Sequence, residues 1–286
     1  MPQELEIKLT LTPAAQESAY QWLTALPTAT VGSAKTLINT YFDTPAAALN
    51  RQRAALRVRQ TGDGYIQTLK TQGEFVNGAH RRQEWEWPLG RAELELDLLA
   101  DTPLVRNIDL TELSPVFETN FERRVVMLDD GDAVIECAFD TGQINAGDKV
   151  MPLCELEFEL KSGDETRLLH WACQLAAQVP FFLNLISKAE QGYHLAGLHE
   201  PEPLPRDAEP VNRFFHGLSV LWLTGEATGE LRGAMGDVAS LLVDLAASEL
   251  KERFEAFRAN PDPSWVGQMG ALQLGLLQSV SGRGQN

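Results

Sequence analysis

The chain has 286 residues and sets 24 Lys and Arg against 40 Asp and Glu, a formal charge of −16. That balance excludes a surface built to wrap nucleic acid or to lie on an anionic membrane, because either partner needs an extended basic face. A hydrophobic content of 44% suits a globular protein with room for one large domain and a small one. Cys137, Cys154 and Cys173 lack CxxC spacing and sit among apolar neighbours. They read as buried free thiols of a reducing compartment. With no apolar run long enough to span a bilayer and no basic-then-apolar leader, a cytoplasmic protein is expected.

The first element is a strand, Gln3-Glu4-Leu5-Glu6-Ile7-Lys8-Leu9, whose alternation puts Glu4, Glu6 and Lys8 on one face. Thr12-Pro13 then opens a helix, Thr as N-cap and Pro at the first helical position, with an apolar stripe of Ala15, Ala19, Trp22, Leu23 and Leu26. Strands follow near 37–43, 54–60, 64–71, 79–88, 120–128, 133–140 and 150–160, about eight with the first, and Gly62-Asp63-Gly64 and Asp130-Gly131-Asp132 mark turns. Ser162-Gly163-Asp164-Glu165 has the pattern of a capping box before a helix striped by Leu168, Leu169, Ala172, Leu175, Ala176 and Val179. Four prolines, Pro201, Pro203, Pro205 and Pro210, make 201–210 an extended linker. Beyond it, Phe214, Phe215, Leu218, Leu221 and Trp222, then Val238, Leu241, Leu242, Leu245, Leu250, Phe254 and Phe257, recur at helical spacing, so about three helices fit 211–282.

Charge alternation recurs along the strands and is sorted by sign. Glu155, Glu157 and Glu159 share one face opposite Leu156, Phe158 and Leu160; Arg57 and Arg59 share another, Thr68 and Lys70 follow, Arg82, Glu84 and Glu86 continue, and Glu136, Ala138 and Asp140 make a last set. A solvated outer face would account for one or two such strands. A closed antiparallel barrel with charge inside and apolar faces turned outward against helices accounts for them all. Like charges about 5 Å apart across such a lumen cost several kcal/mol even at an effective dielectric of about 20. The acidic wall therefore calls for a hard divalent cation, Mg²⁺ or Mn²⁺, and the basic wall for phosphate. Glu4, Glu6, Glu157 and Glu159 are the leading metal candidates, and Lys8, Arg57, Arg59 and Lys70 the leading phosphate contacts. Glu84, Glu136 and Asp140 could orient basic residues or serve a second metal and water. Among the histidines His80, His170, His194 and His199 show no ligand spacing, and neither a Ser or Cys nucleophile pattern nor a glycine-rich phosphate loop is present.

Eight ordered pieces together resemble one family. They are Glu-x-Glu-x-Lys (Glu4, Glu6, Lys8), Leu-Arg-x-Arg (Leu56 to Arg59), Thr-Leu-Lys (Thr68 to Lys70), Arg-x-Glu (Arg82, Glu84), Phe-x-Arg (Phe121 to Arg123), Glu-x-Ala-x-Asp-x-Gly (Glu136 to Gly142), Glu-Leu-Glu-x-Glu-Leu (Glu155 to Leu160) and Ser-Lys-x-x-x-Gly-Tyr (Ser187 to Tyr193). This set is similar to the CYTH domain, or triphosphate tunnel metalloenzyme family, and within it to bacterial inorganic triphosphatases with a C-terminal helical region. The resemblance implies an α+β fold, a closed eight-stranded antiparallel β-barrel with covering helices, over 1–200, followed by the 201–210 linker and a small α-helical region over 211–286. It adds Arg82, Arg123 and Lys188 to the phosphate contacts, makes Lys8, Arg57, Arg59, Lys70, Glu84, Arg123 and Lys188 the catalytic set, and puts Glu136, Asp140 and Glu155 beside Glu4, Glu6, Glu157 and Glu159 as metal ligands. For Arg123 parity is indecisive, since Val125 shares its face; for Arg82 the competing reading is a surface salt bridge, and Tyr41 could be plain wall.

The implied activity is Mg²⁺- or Mn²⁺-dependent hydrolysis of tripolyphosphate to pyrophosphate and phosphate. A class IV adenylyl cyclase and a thiamine triphosphatase are the alternatives, along with a phosphate-polymer sensor without activity. Many cyclases of this family carry His-Phe before the Glu-x-Glu-x-Lys, where Met1, Pro2 and Gln3 stand here. The tail is too short for the helical CHAD domain of related triphosphatases, and Val220 stands four residues after His216 where that domain carries Arg. A structural role or a homodimer through these helices is expected of it.

Overall fold

The computed structural model describes residues 3–62, 64–71, 73–76, 79–102, 104, 108–242 and 248–283. Asp63 of the expected turn and Leu245 of the expected helical stripe lie outside them. In chain order the elements up to the proline-rich segment are β1 (Gln3–Thr10), α1 (Pro13–Thr24), β2 (Ala29–Asp43), α2 (Ala48–Arg51), β3 (Ala55–Thr61), β4 (Gly64–Lys70), β5 (Glu74–Val76), β6 (Ala79–Leu89), β7 (Ser114–Asp129), β8 (Ala133–Ala146), β9 (Lys149–Gly163), α3 (Thr166–Ala176), β10 (Phe182–Leu183) and α4 (Lys188–Leu195). After it come α5 (Pro210–Thr224), α6 (Gly229–Leu242), α7 (Ser248–Ala259), α8 (Pro263–Val266) and α9 (Gly270–Arg283).

Eight of the strands close an antiparallel barrel in the order β1-β9-β8-β7-β2-β3-β4-β6, with β6 pairing back onto β1. β1 divides one edge between two partners: its first half pairs with β6 (Glu4 opposite Arg82), its last two residues with β10 (Leu9 opposite Leu183). The strand count and closure are those expected, while β2, β7 and β8 run well beyond the predicted limits. Their extensions carry few charges, as in Ala29–Thr36, so the alternation that marks the lumen does not mark them.

Faces alternate as the pattern requires. Leu5, Ile7 and Leu9 of β1, Ile135, Cys137 and Phe139 of β8, and Leu156 and Phe158 of β9 point outward into one core with α1 and α3. Thr12 caps α1 through Ala15 N–H, 3.2 Å from its Oγ1. The expected capping box at 162–165 does not form. β9 continues through Gly163, and Asp164 instead accepts from Thr166 N–H at 2.9 Å.

The helices after the linker belong to the same core. Phe214, Phe215, Leu218 and Leu221 of α5 are fully buried with the barrel's outer residues. Trp222 packs on Phe182 with ring centroids 5.6 Å apart, and Ser219 Oγ accepts from Leu185 N–H at 2.9 Å. Gln273 of α9 grips β10 with both ends of its amide: Oε1 accepts from Leu183 N–H at 2.7 Å, and Nε2 donates to Leu183 O at 3.0 Å. The apolar stripe of α5 is thus used inside the chain. Where about three helices were expected, the described residues hold five, one of which, α8, is only four residues long and opens at Asp262-Pro263. No helix among the described residues is long and apolar enough to cross a membrane.

Candidate active site

The barrel encloses a cavity of about 490 Å³ whose lining includes Glu4, Glu6, Lys8, Arg57, Arg59, Lys70, Arg82, Glu84, Arg123, Glu136, Glu157, Glu159 and Lys188. Register explains the assembly. Glu6 faces Glu159, which faces Glu136 on the next strand; Lys8 faces Glu157; Lys70 faces Glu84; Tyr41 faces Arg57, and Asn39 faces Arg59. Parity and antiparallel pairing therefore suffice to bring residues from eight strands to one lumen.

Two expected ligands, Asp140 and Glu155, do not line the cavity. Asp140 is wholly buried behind Arg123, accepting from its Nε at 2.7 Å and its Nη2 at 2.6 Å, and Lys188 Nζ stands 2.9 Å from the same carboxylate. Glu155 holds Lys188 Nζ at 2.7 Å and accepts from Gln191 Nε2 at 2.8 Å. Their place is to fix two cations. Arg123 and Lys188 both then reach Glu157, each at 2.7 Å. Burial alone would raise the Glu157 carboxyl, yet Lys188, Arg123 and Lys8 hold it well below the usual range.

The Ser-Lys-x-x-x-Gly-Tyr segment acquires a physical reading. Ser187 caps α4, its Oγ accepting from Glu190 N–H at 3.2 Å while Glu190 Oε2 accepts from Ser187 N–H at 2.8 Å, so Lys188 projects from the first helical position into the barrel. A Cβ on Gly192 would lie 2.1 Å from the Phe117 ring, so the helix can sit this close only with glycine there. Tyr193 donates its hydroxyl to buried Asp43 Oδ2 at 2.9 Å.

The acidic side is drawn onto counter-charges. Glu4 accepts from Lys70 Nζ at 3.0 and 3.1 Å and from Arg82 Nε at 2.9 Å, and Glu6 accepts from Arg82 Nη2 at 2.7 Å. Arg82 is thus a half-buried cross-strand partner rather than a surface ion pair. Glu159 pairs with Lys161 Nζ at 2.7 Å, and Glu136 stands 3.7 Å from the same ammonium. Burial, with Glu4 and Glu136 nearby, still raises the Glu159 carboxyl despite Lys161. Glu84 is also raised, first by burial and then by Glu4, against the pull of Lys70 at 3.2 Å. Among the described residues no three acidic, His or Cys side chains converge on one point as a formed metal site would. The donors nevertheless fit a hard divalent ion: all are oxygen, and those around Glu159 are under like-charge repulsion that such an ion relieves.

Three donors of the basic side stand without a close carboxylate hydrogen bond. Lys8 Nζ is buried, makes no hydrogen bond and lies 3.6 Å from Glu6; Arg57 Nε is likewise buried without a partner. Arg57 otherwise has Tyr41 Oη at 3.4 Å and Glu84 at 3.9 Å, and Arg59 donates to the neutral Asn39 Oδ1 at 2.7 Å. Burial, with Arg57 and Arg123 alongside, pushes Arg59 down to about 9. Burial raises the Tyr41 phenol, but Arg57, Arg59 and Lys70 outweigh it and hold the group below its usual value. His80 lines the cavity too, and burial beside Lys8 and Arg82 keeps it neutral.

Sequence reasoning passed over Lys161, although it shares parity with Glu157 and Glu159. Gln16 and Gln191 were also missed, and neither carries a charge pattern to betray it. Gln16 of α1 reaches across to donate Nε2 to Asp140 O at 3.0 Å and Glu155 O at 2.9 Å, and accepts from Thr141 Oγ1 at 2.6 Å.

A closed antiparallel barrel with acidic and basic walls facing one lumen is the architecture of the triphosphate tunnel class. The chain belongs to the CYTH domain family, whose model matches residues 2–193. It is 35% identical over 198 residues to an inorganic triphosphatase of Haemophilus influenzae, a match covering 68% of this chain and 55% of that one, so the chain spans about half the length of this relative. Among solved structures it is similar in fold to a Hippeastrum protein described as a candidate adenylyl cyclase with dominant triphosphatase activity: TM-score 0.50, 18% identity, 67% of this chain and 95% of that one.

Proposed function

We propose that the chain hydrolyses inorganic tripolyphosphate to pyrophosphate and phosphate with Mg²⁺ or Mn²⁺. The observation that carries this reading is the pair of buried donors that make no hydrogen bond, Lys8 Nζ and Arg57 Nε, on the cavity wall. Leaving a buried donor unpaired costs roughly 1–3 kcal/mol, more for a charged one, and a phosphate oxygen removes the cost. The kinship with the Haemophilus influenzae triphosphatase points to the same chemistry.

Arg57, Arg59, Arg123, Lys8, Lys70 and Lys188 would grip the phosphate oxygens, the guanidinium groups in bidentate fashion and the ammonium groups as point charges. Arg82 acts through Glu4 and Glu6, which it aligns. Glu4, Glu6, Glu136, Glu157 and Glu159 would hold the divalent ion, with Asp140 and Glu155 behind them as the struts of Arg123 and Lys188. When bound, the ion polarises phosphate oxygens and neutralises the charge that spreads over them in the transition state. Water attacks the terminal phosphorus, the bond to the bridging oxygen breaks, and pyrophosphate leaves; Glu84, made more basic by burial and by Glu4, takes the proton lost by the water. Three free cysteines suit a reducing cytoplasm. A homodimer through the C-terminal helices has little to recommend it, since the α5 stripe is spent on the barrel.

Phosphate release from tripolyphosphate, ATP and thiamine triphosphate, each with Mg²⁺ and with Mn²⁺, tests the reading. Tripolyphosphate should turn over fastest. Equal or better conversion of ATP to cyclic AMP would make the chain a cyclase instead.

A further inference from the structure

The basic wall does not end at Arg57. Ala55, Arg57 and Arg59 share parity on β3 and line the cavity, and Arg53, solvent-exposed where the chain turns from α2 into β3, lines it too. Arg53 has no carboxylate partner among the described residues. Its backbone is unusual. Ala54 N–H donates to Leu49 O at 3.0 Å and Arg53 N–H donates to Asn50 O at 2.7 Å, the paired bonds that close a helix when the residue between is left-handed. Arg53 is that residue, at φ 53°. The position favours glycine, and an arginine is held there at a cost in backbone strain. The turn is kept in place regardless by Asp43, which accepts from Thr44, Leu49 and Asn50 N–H at 2.7, 2.9 and 3.0 Å.

An exposed cation in a left-handed turn at the cavity's edge, on the same wall as Arg57, whose buried Nε has no hydrogen bond, and Arg59, whose partner Asn39 is neutral, has one consistent use. Building on the phosphate-chain reading of the site, the geometry points to Arg53 as an outer anion contact that selects linear polyphosphates longer than three phosphates. Arg57 and Arg59, ~7 Å apart along the strand, serve the inner phosphates. Arg53 meets the part of a longer chain that emerges from the barrel.

The test is calorimetric binding of tripolyphosphate and of a size-fractionated longer polyphosphate, without divalent ion, to the full chain and to Arg53→Gly, Arg53→Asn and Arg53→Lys. Gly and Asn both tolerate the left-handed backbone, so the fold is kept and only the charge is lost; the melting temperature of Arg53→Gly should equal or exceed that of the parent. The parent should bind the longer chain more tightly than tripolyphosphate. Gly and Asn should weaken the longer chain about tenfold, the size of one charge-assisted contact, and tripolyphosphate less than twofold, with Lys restoring most of the loss. Equal affinity of the parent for both lengths, or equal losses for both in the variants, overturns the inference about Arg53. A parent that binds neither anion overturns the phosphate-chain reading itself.

Discussion

Replacing Gln16 by leucine tests whether a helix on the outside of the barrel sets the charges inside it. The amide is buried and makes three hydrogen bonds, at 2.6, 2.9 and 3.0 Å, two of them to the backbone oxygens of Asp140 and Glu155. Leucine fills nearly the same volume but supplies none of them. At roughly 1 kcal/mol per bond the loss is about 3 kcal/mol, which for a domain near this size lowers the melting temperature by roughly 6–12 °C. Asp140 and Glu155 are the struts of Arg123 and Lys188, so KM for tripolyphosphate should rise as well. Gln16→Glu keeps an acceptor for Thr141 while setting a carboxylate against two carbonyl oxygens, and it should fare no better. Urea denaturation and steady-state kinetics supply both readouts. A loss below about 1 kcal/mol with unchanged KM would refute the reasoning, because the carbonyls would then be satisfied without Gln16.

Four further outcomes follow from the charges and the shared core. Glu159, raised by burial and by Glu4 and Glu136, binds its proton more tightly folded than unfolded, so its ionisation costs stability as pH rises; divalent-ion affinity should fall on acidification at a pH above the ordinary glutamate value of about 4.3, and Glu159→Gln should remove that inflection from a titration of metal binding. Glu157 is the opposite case: its depressed folded pKa contributes stability present above about pH 4.3 and lost as pH falls through the folded value, so acid unfolding should shift upward in Glu157→Gln. Glu6→Gln should abolish metal-dependent turnover with a circular dichroism spectrum like the parent's, and full activity at low Mg²⁺ would mean that Glu6 only pairs with Arg82. Ending the chain near Leu204 would bare Phe181, Phe182 and Leu183 and remove the Gln273 bonds to β10, so the shortened protein should melt at lower temperature and associate; a monomeric, equally stable fragment in light scattering would show that the tail is dispensable.

The lumen was legible because most of the strands advertise it twice, through charge on one parity and apolar residues on the other; β2 and β7, whose faces at Tyr41 and Arg123 show no such sorting, do not. Glu4 to Lys8 and Glu155 to Glu159 needed only the period of two. The strand extensions were not legible, since Ala29–Thr36 alternates little in charge. Which carboxylates face the cavity was also hidden: Asp140 and Glu155 have the parity of the lumen, and only the reach of Arg123 and Lys188 decides that they sit behind it. The cap at Ser187 and Glu190 fits the same pattern as the false one at Ser162 and Glu165. The difference lies in β9, whose pairing with β8 runs on through Gly163 and leaves no free strand end for the cap.

Asp43 accepts three backbone bonds from the turn that carries Arg53 and a fourth from Tyr193, on the helix that carries Lys188. Rim and interior are thereby moored to one buried carboxylate. A movement that widened the entrance would have to break that mooring or drag the inner ammonium with it, so loosening the mouth and relaxing the grip on an anion are expected to be a single mechanical event.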